Sequence, residues 1–400
     1  MFSSNKTIGI LGGGQLGKMT LEVSNKWGIK IYILDPDENC PSKSLCSKFF
    51  HGDLMDFETV YNFGKEVDII TIEIENINVK ALEKLKKENK IVYPQPEILK
   101  IIQDKSLQKE FYLNNGIPST PFKVCASKEE IESDISNGNR TYPFIWKSSK
   151  MGYDGYGVKL INGYGCLEKI PDKHCIIEDK AEIEKELSVM VVSTPSGEQV
   201  NYPVVEMEFN SKSNQVEYII SPARISDKLM RKAENLALDV SRSYESIGLL
   251  AVEMFLTKNG DILVNEVAPR PHNSYHFSIE GSETTQFEQL IRSILDLPIG
   301  KTDITNNAVM VNLVGENNTK GPVVYKNLDQ LIGIKGVNPH IYGKKETRPN
   351  RKMGHITVIN SNIDEAIKIA REIKQNIKVH QLKNKRNGKS GNYNGKQIRF

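Results

Sequence analysis

The chain has 400 residues, 38% hydrophobic and 26% charged, enough for two or three domains of about 150 residues and a sizeable core. No run of about 18 apolar residues occurs, and the N-terminus lacks a charged leader with a cleavage site, so a membrane-spanning class is excluded and a cytoplasmic protein is expected. The net charge of +3 is uneven: Lys378 to Phe400 carries seven Lys/Arg and no acid, leaving the remaining chain at −4, so any basic character belongs to the tail and no nucleic-acid partner is expected.

In chain order, the first hundred residues alternate apolar runs with helix-like segments: "TIGILG", a helix from Gln15 to Trp27, "IKIYILD", a helix near Asp56 to Gly64, "VDIITIEIE", "VKALEKLKK" and "KIVYP". That rhythm predicts βαβ units on a parallel sheet. Gly12, Gly14 and Gly17 stand in G-x-G-x-x-G spacing before the first helix, with Asp35 ending the second strand. Alone, this fingerprint suggests a nicotinamide-dependent dehydrogenase. A charged helix over "DKSLQKEFYLNNG" follows, N-capped by Asp104 and stopped at Gly116, and the prolines of "IPSTPF" mark a domain entrance.

From Phe122 to about Pro195 strands dominate. A second α/β unit runs from about Ser196 to Leu297, ending in the helix "TTQFEQLIRSILDLP". "AVMVNLVGE", "GVNPHIYGKKE" and "GHITVI" read as strands of a smaller β-rich unit closed by the helix "IDEAIKIAREIKQ". The polar, glycine-dotted tail from Lys378 reads as a solvated extension. The five cysteines form no C-x-x-C pair and are read as reduced thiols.

The most informative local geometry is "LLAVEMFLTKNGDILVNEVAPR". Asn259-Gly260 favours a two-residue type I′ hairpin, which places Glu253 directly opposite Glu266. Facing carboxylates repel, so a cation should offset them. Mg2+, which takes carboxylate oxygens and completes its shell with waters and phosphates, is one candidate. Pairing with Lys or Arg, or exposure to solvent, is the alternative. In "FIWKSSKMGYDGYGV", Lys147 ends a strand before a glycine loop, an arrangement suited to triphosphate and distinct from a Walker loop, though an ordinary hairpin reads the same way. His272 and His276 stand four apart without the H-E-x-x-H of a zinc site.

The glycine-rich flap, "IIEDKAEIEKELSV" and the paired acids leading into "NEVAPRPHNS" together resemble the ATP-grasp ligases. "GILGGGQLGKM", "TIEIENI", "GYDGYG", "APRPHNSYHF" and "KKETRPNRKMGH" resemble, within them, the 5-(carboxyamino)imidazole ribonucleotide synthase family of purine biosynthesis, over about Thr7 to Lys374. The resemblance implies a mixed α/β and α+β architecture: a Rossmann-like domain over 1–110, an ATP-grasp domain over 111–300 with a mobile lid at about 122–195, a β-rich domain over 301–377, and a basic flexible tail over 378–400.

It also implies site residues. ATP phosphates would meet Lys105 and Lys147 under a flap of Gly152, Tyr153, Asp154, Gly155, Tyr156, Gly157 and Val158. Adenine would meet Glu178 with the backbone of Asp179, Lys180 and Ala181, and Glu186 would hold the ribose. Glu253, Glu266 and Asn265 would carry Mg2+. Arg270, His272 and Asn273 would serve bicarbonate or the carboxyphosphate formed from it, Lys345 would join the cations that meet the ribonucleotide phosphate, and Asp154 would orient or deprotonate the amine. Gln15, Glu73, Glu75, Asn76, Tyr153, Asp154, Arg348, Arg351 and Lys352 would hold 5-aminoimidazole ribonucleotide.

The residues themselves leave some of this open. By itself "KKETRPNRK" is more commonly a solvated basic loop, and the family context turns its cations toward a phosphate monoester. Glu73 and Glu75 are expected on one face of a strand end. The family uses its glycine turn without nicotinamide, for tight turning and close packing, with the helix start free to face an anion. Relatives are dimers, so a homodimer is expected. Met151 stands where relatives carry Gly, Asn350 where Gly is frequent, and Lys105 where some carry Arg. The rivals are a formate-dependent phosphoribosylglycinamide transformylase or a biotin carboxylase-like subunit, and, outside this class, the dehydrogenase.

Overall fold

The computed structural model describes residues 5–150 and 157–382. Its first unit is a five-stranded sheet, parallel throughout, with Thr7–Leu11 at its centre between Lys30–Asp35 and Ile69–Ile72, and Lys48–His51 and Ile91–Val92 at the edges. Ile8, Ile10, Ile31, Ile33, Ile69 and Ile70 are buried, as expected of strands covered on both faces. The helix Gln15–Lys26 follows the glycine turn.

The helix Lys105–Asn114 starts at Asp104, whose side chain accepts from the Ser106 N–H, and is followed by Gly116 at φ +65°. Beyond it, Phe122–Cys125, Cys175–Asp179, Phe144–Ser148 and Val158–Ile161 form an antiparallel sheet around Phe144 and Trp146. This sheet ends at Asp179. Ile183–Ser193 already pairs with Gly248–Thr257 in the large sheet, so the lid sheet is shorter than the expected 122–195.

The large sheet runs Ile262–Ala268, Gly248–Thr257, Ile183–Ser193, Val205–Phe209, Val216–Ser221, Asn307–Val314, Lys352–Asn360, Val337–Ile341, with Gln199–Asn201 off this path. The last three strands in that order were expected in a separate β-rich unit. They do form such a unit, around a core closed by the helix Ile363–Asn376, and its strands also continue the large sheet through Tyr218–Val311 to Ser221–Ala308. The tail also begins later than expected. Lys378–Gln381 pairs with Gly321–Lys326, with Val379 buried, because the alternation of Val379 with polar neighbours suits a half-buried strand.

Candidate active site

The hairpin brings the two acids together by a different route from the one its sequence suggests. Thr257 pairs with Asp261 and Gly260 N–H donates to the Thr257 carbonyl, so the loop is three residues, Lys258 to Gly260. Gly260 alone of these has positive φ (+81°), as in a type I turn closed by a left-handed glycine. Such a loop shifts the register by one residue. A bulge at Asn265, between the pairs Met254–Val264 and Glu253–Glu266, restores it. Glu253 therefore faces Glu266, and Glu186 lies two residues along the neighbouring strand from Ser188, the other partner of Glu253.

Groups of the chain already engage this pair. Lys105 Nζ lies 2.6 Å from Glu266 Oε2, and His272 Nε2 lies 3.2 Å from Glu253 Oε1. Lys105 holds Glu266 down to about 2. Burial, with Glu266 and Glu186 nearby, pushes Glu253 up to about 8, and burial beside Glu266 brings Glu186 to about 7. Crowded carboxylates of this kind fit a hard divalent cation. Among the described residues no group of three or more His, Cys, Asp or Glu is placed to hold a metal ion by itself.

Lys147 Nζ contacts Asn265 Oδ1 at 3.1 Å and Glu178 Oε2 at 2.8 Å. The Glu178 carboxylate is buried between Lys147 and Lys109, the latter 3.0 Å from Oε1. Both oxygens of Glu178 thus stand within ion-pair distance of a lysine, Oε2 at Lys147 and Oε1 at Lys109. Asp179 pairs with Arg140, while Lys180 and Ala181 follow the strand end. Gly157 and Val158 close the flap, with Ser148 N–H donating to the Gly157 carbonyl and Val158 paired with Lys147. Met151, Gly152, Tyr153, Asp154, Gly155 and Tyr156 lie outside the described residues.

The glycine turn is already filled. Gly12 has φ +100°, and a Cβ there would stand 2.4 Å from Glu73 Cγ. Gly14 N–H and Gly17 N–H (2.6 Å) both donate to the Glu73 carboxylate, and Gly13 N–H donates to Asp35 Oδ2 at 2.6 Å. The place of a dinucleotide's pyrophosphate is thus occupied by the protein's own acid. Glu73 and Glu75 do not share a strand face, because the strand ends at Ile72 and the loop sends them apart, Glu75 pairing with Arg270 Nε at 2.8 Å. Asn76 is exposed and Gln15, at the helix start, is half-buried.

The remaining residues bridge the units. Asn273 exchanges amide hydrogen bonds with Asn312 (3.0 and 2.9 Å), so its side chain braces the large sheet. Lys345 Nζ reaches Asn39 Oδ1 at 2.6 Å, and Arg351 Nη1 donates to the Glu346 carbonyl while feeling Asp37. Arg348 is exposed, and Asn350 takes φ +60° where glycine is frequent. Lys352 lies close enough to Glu253 to lower its pKa against the stronger upward effects.

Two residues here escaped the sequence reading. Lys109 stands four residues after Lys105, a helical spacing that puts both on one face, and this was the available signal. Gln286 is fully buried, accepting from His272 N–H (2.8 Å) and donating to the His272 carbonyl (3.0 Å), with His276 Nδ1 at 2.9 Å. No sequence signal marks it. His272 and His276 thus face different partners, Glu253 and Gln286.

The lid sheet, with Lys147 on one of its strands, meeting a second sheet that carries Glu253 and Glu266, defines an ATP-grasp protein, and residues 110–287 match the ATP-grasp domain family. Residues 5–103 match the ribonucleotide synthetase preATP-grasp domain, and 308–369 the phosphoribosylaminoimidazole carboxylase C-terminal domain. N5-carboxyaminoimidazole ribonucleotide synthetase from Thermotoga maritima is 40% identical, with a TM-score of 0.87 covering 94% of this chain and all of that one. The chain belongs to the N5-carboxyaminoimidazole ribonucleotide synthase family. The Aspergillus clavatus synthase solved with ADP and 5-aminoimidazole ribonucleotide is 30% identical (TM-score 0.85, covering 93% of this chain and 98% of that one). Phosphoribosylaminoimidazole carboxylase of Saccharomyces cerevisiae is 38% identical over 90% of this chain, which spans 65% of that protein's length.

Proposed function

We propose that this protein carboxylates the amine of 5-aminoimidazole ribonucleotide with bicarbonate at the expense of ATP, in purine biosynthesis. Bicarbonate attacks the γ-phosphate, releasing ADP and forming carboxyphosphate; the amine then takes the carboxyl group and phosphate leaves. The observation that carries this is the facing of Glu253 and Glu266 beside Lys105 and Lys147. The A. clavatus relative, with ADP and the ribonucleotide bound, supports the choice of substrates.

Mg2+ held by Glu253 and Glu266, with Asn265 beside them, would neutralise charge on the phosphates. Lys105 and Lys147 bind and orient those phosphates, Lys105 exchanging its carboxylate partner for phosphate oxygen. His272, fixed by Gln286, presents Nε2 on the bicarbonate side, and Arg270, held by Glu75, lines the same edge. Arg348, Arg351, Lys345 and Lys352 offer charge to the ribonucleotide phosphate. A homodimeric assembly is part of this reading.

The test is phosphate release with ATP and Mg2+, adding bicarbonate and 5-aminoimidazole ribonucleotide separately and together. Release that requires both supports carboxylation. Release unaffected by bicarbonate would remove it, and release with formate in its place would favour the transformylase reading.

A further inference from the structure

Lys109 lies inside the helix Lys105–Asn114, where a lysine is ordinarily solvated, yet only 2% of its surface is exposed. Its ammonium donates to Thr120 Oγ1 at 3.0 Å and pairs with Glu178 Oε1 at 3.0 Å. The other Glu178 oxygen holds Lys147, which also reaches Asn265 on the metal-side hairpin. A continuous path of polar contacts therefore runs from Thr120 through Lys109, Glu178 and Lys147 to the cleft.

Charge along this path does not balance locally. Lys105 is matched by Glu266, whereas Lys109 and Lys147 share the single carboxylate of Glu178. Within these contacts the shared pair leaves one surplus positive charge, which Glu186, near enough to Lys147 to feel it, offsets only in part because burial and Glu266 bring that carboxyl to about 7. Lys109 is too deeply buried to touch a ligand, so the surplus is presented by Lys147 at the mouth of the path. Keeping an ammonium there is costly: burial pulls Lys109 down to about 8 in spite of Glu178. An apolar side chain of similar length would fill the space without that cost.

We infer that Lys109 is a positioning residue for nucleotide binding: its buried charge occupies half of Glu178, so that Lys147 is left with positive charge to offer the phosphates. This rests on the nucleotide reading above and deepens it, naming a residue that acts through two others. Lys109→Met makes the Lys147–Glu178 pair neutral and lets Glu178 draw Lys147 back. Losing one charge at a partly buried site weakens anion binding by roughly tenfold.

The test measures ADP affinity by calorimetry with Mg2+ present, together with KM values for ATP and 5-aminoimidazole ribonucleotide. In Lys109→Met the dissociation constant for ADP and the KM for ATP should rise about tenfold, with the ribonucleotide KM unchanged. Adding Glu178→Gln to that variant removes the carboxylate, restores the surplus charge, and should recover most of the ADP affinity. Lys109→Gln, which keeps hydrogen-bonding capacity, serves if the Met variant does not fold. Wild-type ADP affinity in the folded single variant, or a double variant no better than the single, would overturn the inference. ADP binding needs no acceptor, so a failure of carboxylation in the wild-type protein changes neither outcome.

Discussion

Glu73→Gln tests the proposition that the glycine-rich turn is occupied from within. Both oxygens of Glu73 accept backbone donors, from Gly14 and Gly17, at the start of a helix with no acid in its first turn and no side-chain cap. An amide offers one acceptor oxygen, so the substitution satisfies one N–H and turns an NH2 group toward the other. A buried donor left without a partner costs about 1–3 kcal/mol, and removing negative charge from a helix start about 0.3–1 kcal/mol more. Burial, which holds the Glu73 carboxyl above its ordinary range, works against the charged form and offsets part of this loss. The expected net destabilisation is about 1–2 kcal/mol. Urea unfolding, with amide exchange read at Gly14 and Gly17, measures it: the midpoint should fall and exchange at one of the two glycines should quicken. An unchanged midpoint with unchanged exchange at both would refute the reasoning. The same occupancy predicts no change in NADH fluorescence on mixing with the wild-type protein.

Glu253 sits above its ordinary range, at about 8, so between the ordinary carboxyl range and pH 8 the folded protein binds more protons than the unfolded chain. Its contribution is present at low pH and is lost as pH rises through about 8; metal-free Glu253→Gln should flatten the corresponding decline in melting temperature, and an identical decline would refute the burial of that charge. Glu266→Gln should abolish phosphate release even at saturating acceptor, and normal turnover would remove the metal role. Arg348→Ala should chiefly raise the KM for the ribonucleotide, and an unchanged KM would take Arg348 out of that pocket. Gln286→Leu frees the His272 backbone; it should lower kcat at least tenfold with the KM for ATP unchanged, and unaltered kcat in a folded variant would show that His272 needs no such support.

The sequence made the parallel sheet legible because its strands are continuous apolar runs separated by helical patterns, and the pairing of Lys30–Asp35, Thr7–Leu11 and Ile69–Ile72 follows that rhythm. Membership of a sheet was less legible. Nothing local to Ile183–Ser193 says that it joins Gly248–Thr257 rather than the lid strands, since either neighbour would bury its apolar face. Lys378–Gln381 was hidden for a related reason: four residues with one buried valine are indistinguishable from the polar tail that follows until Gly321–Lys326 supplies the partner.

At the site, the facing acids were placed correctly through two departures that cancel. Asn259-Gly260 signals a hairpin, but the loop takes a third residue, Lys258, and would put Glu266 out of register by one. Asn265 restores the pairing by bulging, and Lys147 contacts its side chain there. A bulge has no reliable signature in one sequence, because it reflects the competition between turn geometry and the burial of Val264 and Val267 on the far face.

The identity of the groups that engage the acids could not be settled from sequence either. Lys105 on a helix and His272 on a loop reach the acids only because separate segments converge, and Lys109 is recognisable as a buried charge only once Glu178, on a strand of the lid sheet, stands beside it. Motifs identify residues that meet a ligand, since the ligand fixes their chemistry. Residues that hold those in place answer to their neighbours alone, so Lys109, Gln286 and Asn312 become visible only when the fold brings those neighbours together.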